Sequence, residues 1–234
     1  MSLTHRVCEP ELMDEPGLDT IQHRAALRGL GRLNRWSRTS RVLWSACRQL
    51  MTQRNLPALR VLDLACGGGD IVMALSRQAR DHGVHLALEG WDISATAIEY
   101  ARAQAQTAGL ENLQFRVSNA LEDEIPPDYD VIFCTLFLHH LNREQAVALL
   151  ARMKQATRCE VWVDDLIRSR LGYGLAWSGC RILTRSPVVH VDGPRSVQAA
   201  FTKDEVRELA RDAGLQGVQF QRHWPQRFLM RWSR

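Results

Sequence analysis

The sequence predicts an α/β fold: a doubly wound, mostly parallel sheet of about seven strands behind an N-terminal helical cap. Three observations predict it. The stretch 61–70, VLDLACGGGD, passes from a short apolar run through small residues into a helical pattern. A second apolar run, 85–91, closes on Asp92. Beyond it, runs of strand length alternate with amphipathic helical stretches, and two strands without an intervening helix close the chain.

The first stretch sets the register for the rest. Val61 to Leu64 suits a buried strand and is too short for a buried helix. Ala65 to Gly69 leaves little or no Cβ bulk, so backbone N–H groups at a following helix N-terminus can approach a ligand. Asp70 reads as the N-cap of a helix carrying Ile71, Val72, Leu75 and Ala79 on one face. An acid closing the second strand, as Asp92 does, accepts hydrogen bonds from a ribose diol in βαβ nucleotide sites.

In chain order, residues 1–18, with Pro10 and Pro16, read as a loose arm. Ile21, Ala25, Leu27, Leu30 and Leu33 form an apolar stripe opposite four arginines, and a second helix follows from about Thr39. Pro57 separates this cap, residues 1–57, from a core domain of residues 58–234. Ser94 caps a helix stopped by Gly109; strands are expected at 113–117 and 129–134, with Pro126-Pro127 between them. Asn142-Arg143-Glu144-Gln145 and Thr202-Lys203-Asp204-Glu205 are capping boxes. A fifth strand falls at 159–163, and closing strands at 216–222 and 227–233. Residues 166–200, with the run HVDGPRS, break the alternation and read as an insertion.

Composition excludes several classes. Thirty Lys+Arg against 26 Asp+Glu leave a formal charge of +4, too mild for a nucleic-acid footprint. The six cysteines show neither CxxC pairing nor Cys/His spacing, so no metal site is expected and a reducing, cytoplasmic location is. The N-terminus has no signal-peptide pattern, and no apolar run approaches the ~20 residues of a membrane span. The arginine-rich helix at 21–35 could lie on a membrane surface, but a solvated face of a cap is the favoured reading.

VLDLACGGGD followed by GWDIS resembles the first two motifs of class I S-adenosylmethionine-dependent methyltransferases, over about residues 58–165 well and the remainder loosely. The resemblance implies a Rossmann-like sheet whose last strand inserts antiparallel, and S-adenosyl-L-methionine as cofactor. It places Ala65, Cys66, Gly67 and Gly69 against the methionine end, Ala65 standing where glycine is usual. It gives Asp63 the support of that turn and of the cofactor's amino group, Asp92 the ribose, and Ile93 a face of the adenine. Asn119 and Ala120 stand where Asp-Ala is common, beside the adenine amino group, and Thr135 joins the cofactor residues. In CTLFLHHL, 134–141, His139 is a candidate for the cofactor's carboxylate side or for the general base, and His140 a substrate residue, the bland reading being that one histidine packs and the other caps a helix; His190, in the insertion, is a second candidate base. Tyr173, Trp177 and Arg181 in the insertion are expected to line an acceptor pocket.

Asn/Asp-Pro-Pro-Tyr, common in enzymes that methylate base amines, is absent after the fourth strand. The tail vaguely resembles methyltransferases of polyketide pathways. The expected reaction is methyl transfer to an oxygen or carbon of a small aromatic, quinone-like or polyketide-like acceptor. An RNA or protein methyltransferase, or a non-catalytic S-adenosylmethionine-binding protein, are the alternatives.

Overall fold

Seven strands form one sheet in the order β3-β2-β1-β4-β5-β7-β6 in the computed structural model, which describes residues 3–15 and 17–234. The proline expected to punctuate the arm at 16 lies outside the described residues. The strands are β1 (Ala58–Leu64), β2 (His85–Asp92), β3 (Leu113–Val117), β4 (Tyr129–Thr135), β5 (Thr157–Leu166), β6 (Gln219–His223) and β7 (Arg227–Ser233). β1 to β5 run parallel; β7 pairs antiparallel with both β5 and β6. The order reverses between β1 and β4, and a crevice at the carboxyl ends of strands forms at such a switch point.

Helices cover both faces. α1 (Thr20–Ser37) and α2 (Thr39–Arg54) precede the sheet; α3 (Asp70–Asp81), α4 (Ala95–Thr107) and α5 (Arg143–Ala156) connect strands; α6 (Arg170–Leu183), α7 (Pro187–Ala199) and α8 (Lys203–Asp212) separate β5 from β6. Strand alternation divides the core. Leu62, Leu64, Ile132 and Val163 pack with Leu149, Leu150 and Leu209 of α5 and α8. Leu59, Val61, Phe133 and Trp162 pack on the other face with Leu43, Leu50, Val72 and Leu75 of α2 and α3. The central strands β1, β4 and β5 are therefore apolar on both sides, as covered parallel strands require, whereas the edge strand β3 exposes Gln114 and Arg116.

Several expectations need correction. Asp70 is not the N-cap of α3. Gly69 is, with φ 71°, and Asp70 opens the helix, where its charge still complements the helix dipole. The turn takes three left-handed residues, Ala65, Gly67 and Gly69, and so delivers the chain to the helix one residue earlier. A Cβ on Gly69 would stand 2.5 Å from the Phe115 ring, so glycine is needed there for packing as well as for φ. The loop expected around Pro126-Pro127 is present, residues 118–128 joining β3 to β4 as turns. Ile21, assigned to the apolar stripe of α1, is 75% exposed; Leu27 of that stripe is buried, together with Ala26, which lies outside it.

The insertion is two helices. The turn-like run HVDGPRS lies inside α7, with Pro194 in the helix interior. Gly193 lets α7 pass close to α6, because a Cβ there would meet Cys180 Sγ at 2.3 Å. Nor is the arm loose. Arg6 donates to the carbonyls of His139 and Leu141 at 2.6 and 2.7 Å, and Val7 N–H to Gln198 O at 3.1 Å. A 3-10 turn at Leu12–Asp14 is tied down by Asp192, whose carboxylate accepts from Leu12 and Met13 N–H at 2.9 and 3.0 Å.

Ala65 holds φ 57°, a conformation that costs an L-residue roughly 1–2 kcal/mol. Ala65→Gly should raise stability by about 0.5–1 kcal/mol, after the entropy that glycine adds to the unfolded chain is subtracted. Urea unfolding of the ligand-free protein measures it; an unchanged or lower midpoint would mean that surrounding contacts already compensate the strain.

Candidate functional site

At the carboxyl ends of β1 to β5 lies a cavity of about 650 Å³, a size suited to a small-molecule site. The loops after β1, β2, β3 and β4 form its floor and sides, and the arm, α1, α6 and α7 close over it. Two clusters of ionisable groups stand at its ends.

The first is built around the turn after β1. Asp92, at the end of β2, accepts from Gly67 N–H through one oxygen and Ser94 N–H through the other, both at 2.8 Å. Cys66 N–H donates to Trp91 O at 2.8 Å. The turn is thus stitched to the neighbouring strand end, with its small residues facing the cavity. Beneath it Asp63 is fully buried, and neither carboxylate oxygen has a hydrogen-bond partner. Burial, with the nearby charges of Asp70 and Asp92, pushes its pKa well above the ordinary value. Burial also raises Asp70 and Asp92. Among the described residues none of the three acids forms an ion pair, Arg227 and Arg35 acting on Asp70 only from a distance, and such a set suits a ligand carrying positive charge. Glycine leaves room at 67, where a Cβ would meet only Leu27 at 3.8 Å, and is required by packing at 68, where a Cβ would press on the Tyr100 ring at 3.2 Å.

The second cluster follows β4. Leu136 has φ 53°, and its N–H donates to Asp164 O at 2.9 Å. The chain then makes a 3-10 turn over Leu138–His140 that presents two adjacent imidazoles. His139 is buried. Its Nδ1 lies 2.7 Å from Asp165 Oδ1, its backbone N–H donates to Asp165 Oδ2 at 3.1 Å, and its Nε2 lies 3.5 Å from Glu11 Oε1. His140 Nδ1 lies 3.0 Å from Asp14 Oδ2. Burial opposes a charge on His139, but Asp165 and Glu11 outweigh it and push the pKa up to about 10. Glu11 shows the mirror effect: burial opposes ionisation, yet hydrogen bonding to His139 and the charges of both imidazoles hold it at about 2. At neutral pH, His139 is therefore a proton donor rather than a free base.

Of the residues singled out from sequence, Ala65, Cys66, Gly67, Asp92, Ile93, Asn119, Ala120, Thr135, His139 and His140 line the cavity. Asp63 and Gly69 lie behind its wall. The Asn119 side-chain oxygen, expected to read an adenine, instead accepts from Leu121 N–H at 3.0 Å and closes a turn. Tyr173, Trp177, Arg181 and His190 do not line it. Helical spacing explains the first three. They share one stripe of α6, with Arg181 stacked on Trp177 at 4.1 Å, while Gly172, Leu175, Ala176 and Cys180 form the stripe that faces inward. His190 Nε2 instead bonds the Thr184 carbonyl at 2.9 Å, at the end of α6. Sequence reading missed Glu11 and Asp14, which sit on an arm without periodicity. It also left Asp165 without a role, although the residue adjoins a strand end.

Residues 61–160 match the family described as a methyltransferase domain. The chain is 26% identical over 167 residues to a ubiquinone biosynthesis O-methyltransferase of Methylococcus capsulatus, covering 71% of this chain and 67% of that protein. It is 25% identical over 180 residues to a ubiquinone/menaquinone biosynthesis C-methyltransferase of Rickettsia massiliae, covering 70% and 72%. Shorter matches cover as little as 30% of a curated relative. The magnesium protoporphyrin IX methyltransferase of Synechocystis PCC 6803, with bound SAH, superposes with a TM-score of 0.59 at 17% identity over 94% of this chain and 90% of that one. At that identity the likeness speaks to the fold.

A carboxyl with a raised folded-state pKa makes folding less favourable as pH rises from its ordinary value toward the folded one. Asp63, ordinarily near 3.8, should therefore erode the stability of the ligand-free protein from acid toward neutral pH. Asp63→Asn should remove that erosion, gaining roughly 1–3 kcal/mol on wild type at about pH 8 and little at about pH 4. Denaturant unfolding at the two pH values tests it; an equal difference at both would mean that the carboxylate is satisfied.

Proposed function

We infer that this chain, which carries an S-adenosylmethionine-dependent methyltransferase domain, transfers a methyl group to an oxygen or carbon of a small aromatic or quinone-like acceptor. The observation that carries the cofactor side is the pairing of Asp92 with the glycine turn above the unpartnered Asp63, at the switch point of the sheet. S-adenosyl-L-methionine, when bound, supplies the methyl group on an activated sulfonium. The chain's own residues then have three tasks.

Asp92 holds a ribose diol through the lone pairs that its two backbone donors leave free. The turn residues Ala65 to Gly67, with Asp63 behind them, hold the cationic end, and Ile93, Asn119, Ala120 and Thr135 line the remaining wall. On the acceptor side, His139 is the proposed catalytic group. Asp165 fixes its ring, and Nε2 points toward Glu11 across the cavity margin. An imidazolium so placed donates to the acceptor oxygen and stabilises the anion formed when the hydroxyl proton passes to solvent, the form that attacks a methyl carbon. Positioning supplies much of the rate, since the methyl group arrives already activated. His140 is proposed to contact the acceptor, as are the inward residues of α6 and α7 in place of Tyr173, Trp177 and Arg181.

The names of the curated relatives support quinone-pathway acceptors, both O- and C-methylated. Among the described residues, no helix is long and apolar enough to cross a membrane. A cytoplasmic location and a small-molecule rather than nucleic-acid partner belong to the same reading. They are supported by free thiols at all six cysteines and by the mild net charge.

Two measurements test it. Asp92→Ala should weaken S-adenosylmethionine binding by roughly 1.5–3 kcal/mol, the scale of a hydrogen bond to a charged group, read by calorimetry; unchanged affinity in a folded variant removes the ribose assignment. With isotopically labelled S-adenosylmethionine and a panel of phenols and quinols, mass spectrometry should find a labelled product. His139→Gln should slow its formation roughly 10²–10⁴-fold with cofactor affinity little changed. Tight cofactor binding with no product from any acceptor would favour a binding protein without turnover.

A further inference from the structure

We propose that Glu11, His139 and His140 form a binding site for a divalent transition-metal ion of the zinc, cobalt, iron or manganese class. Composition and cysteine spacing gave no sign of it, because one ligand comes from the arm and the other two are adjacent residues on a 3-10 turn.

The distances carry the argument. Each imidazole makes a short contact through Nδ1, at 2.7 Å to Asp165 and 3.0 Å to Asp14. Those contacts hold a proton on each Nδ1 and leave each Nε2 as the coordinating nitrogen, an entering metal ion displacing the second proton of His139. Both point at one carboxylate: His139 Nε2 is 3.5 Å from Glu11 Oε1, and His140 Nε2 is 3.8 Å from Glu11 Oε2. These separations lie at or beyond the long end of the hydrogen-bond range. They match a different geometry, since two N/O ligands each about 2.1 Å from a tetrahedral ion stand roughly 3.4 Å apart. The three donor atoms all lie within 4.8 Å of one another.

The surroundings agree. A carboxylate on the far nitrogen of each ligating histidine is the usual outer-shell arrangement of such sites, and here both histidines have one. Ser196 Oγ donates to Glu11 Oε1 and orients it. Among the described residues, the ion-pair partners of Glu11, Asp14 and Asp165 are these two imidazoles alone, so three carboxylates converge without a lysine or arginine in contact. All three proposed ligands line the cavity, so further coordination positions face the space in which an acceptor would lie. Two imidazoles and one carboxylate favour borderline transition metals over Mg²⁺ or Ca²⁺.

A cation held there would pin the arm to the turn after β4, and this gives a readout independent of turnover. Full-length, untagged protein stripped with a chelator should bind one equivalent of Co²⁺, seen as visible absorption and by calorimetry, and Zn²⁺ should displace it. Mg²⁺ and Ca²⁺ should not compete. His140→Ala, at a partly exposed position, and Glu11→Gln should each weaken binding at least about 100-fold, and the outer-shell change Asp14→Asn about 10- to 100-fold. Zn²⁺ should slow proteolysis of the arm in wild type and not in His140→Ala. Absence of saturable Co²⁺ binding in folded wild type, or equal affinity in wild type, His140→Ala and Glu11→Gln, overturns the proposal. Because none of these readouts needs an acceptor, a failed methyl-transfer assay leaves the result interpretable.

Discussion

One carboxylate ties together the two strand-end loops that form the cofactor end of the site. Asp92 accepts from the backbone of the turn after β1 and from the start of the loop after β2, so two strand ends that pair side by side also share a rigid rim. Charged hydrogen bonds of this kind are among the stronger polar contacts in a protein. Everything placed on the rim inherits its rigidity: the glycine cradle, Ile93 and the first turn of α3. The cost sits one layer below, where Asp63 is buried without a partner. A buried acid with no donor is a poor contributor to folding and a strong attractor for a cationic ligand, and the fold retains it where such a ligand would lie.

The opposite end of the cavity is organised by backbone geometry. The left-handed residue at Leu136 turns the chain off β4, and the 3-10 turn that follows exposes two successive side chains toward the same space. Asp165 is delivered by the neighbouring strand and reaches both the ring and the backbone N–H of His139. A histidine held at ring and backbone has little freedom to leave its rotamer, which is what a positioning role in catalysis demands.

The strands, the order of helices and the rim were legible in the sequence because each rests on local pattern. A buried strand shows as an apolar run, the turn as a string of small residues, and the strand-closing acid as a single Asp92. The insertion was not legible, since Asp192, Gly193 and Pro194 are turn-forming residues by local chemistry. Tertiary contacts override them: Asp192 caps the arm's turn and Gly193 admits Cys180. Within α6, the conspicuous side chains misled. Trp177 is 50% exposed, and the cavity is faced by plain residues such as Leu175 and Ala176. Glu11 carried no signal at all, because its position depends on Arg6 and Asp192, contacts of about 180 or more residues' separation in part, that no periodicity announces.

The arm gives the cavity a roof of unusual character. It is fastened by a handful of hydrogen bonds from Arg6, Val7, Leu12 and Met13 to the walls, and contributes little to either main core. A segment held this way opens at a free-energy cost well below that of global unfolding. Lifting of that segment would uncover the cavity while the sheet beneath stays fixed. Because the same segment carries Glu11 to His139 and Asp14 to His140, uncovering the cavity would also take apart the ionisable cluster at its far end.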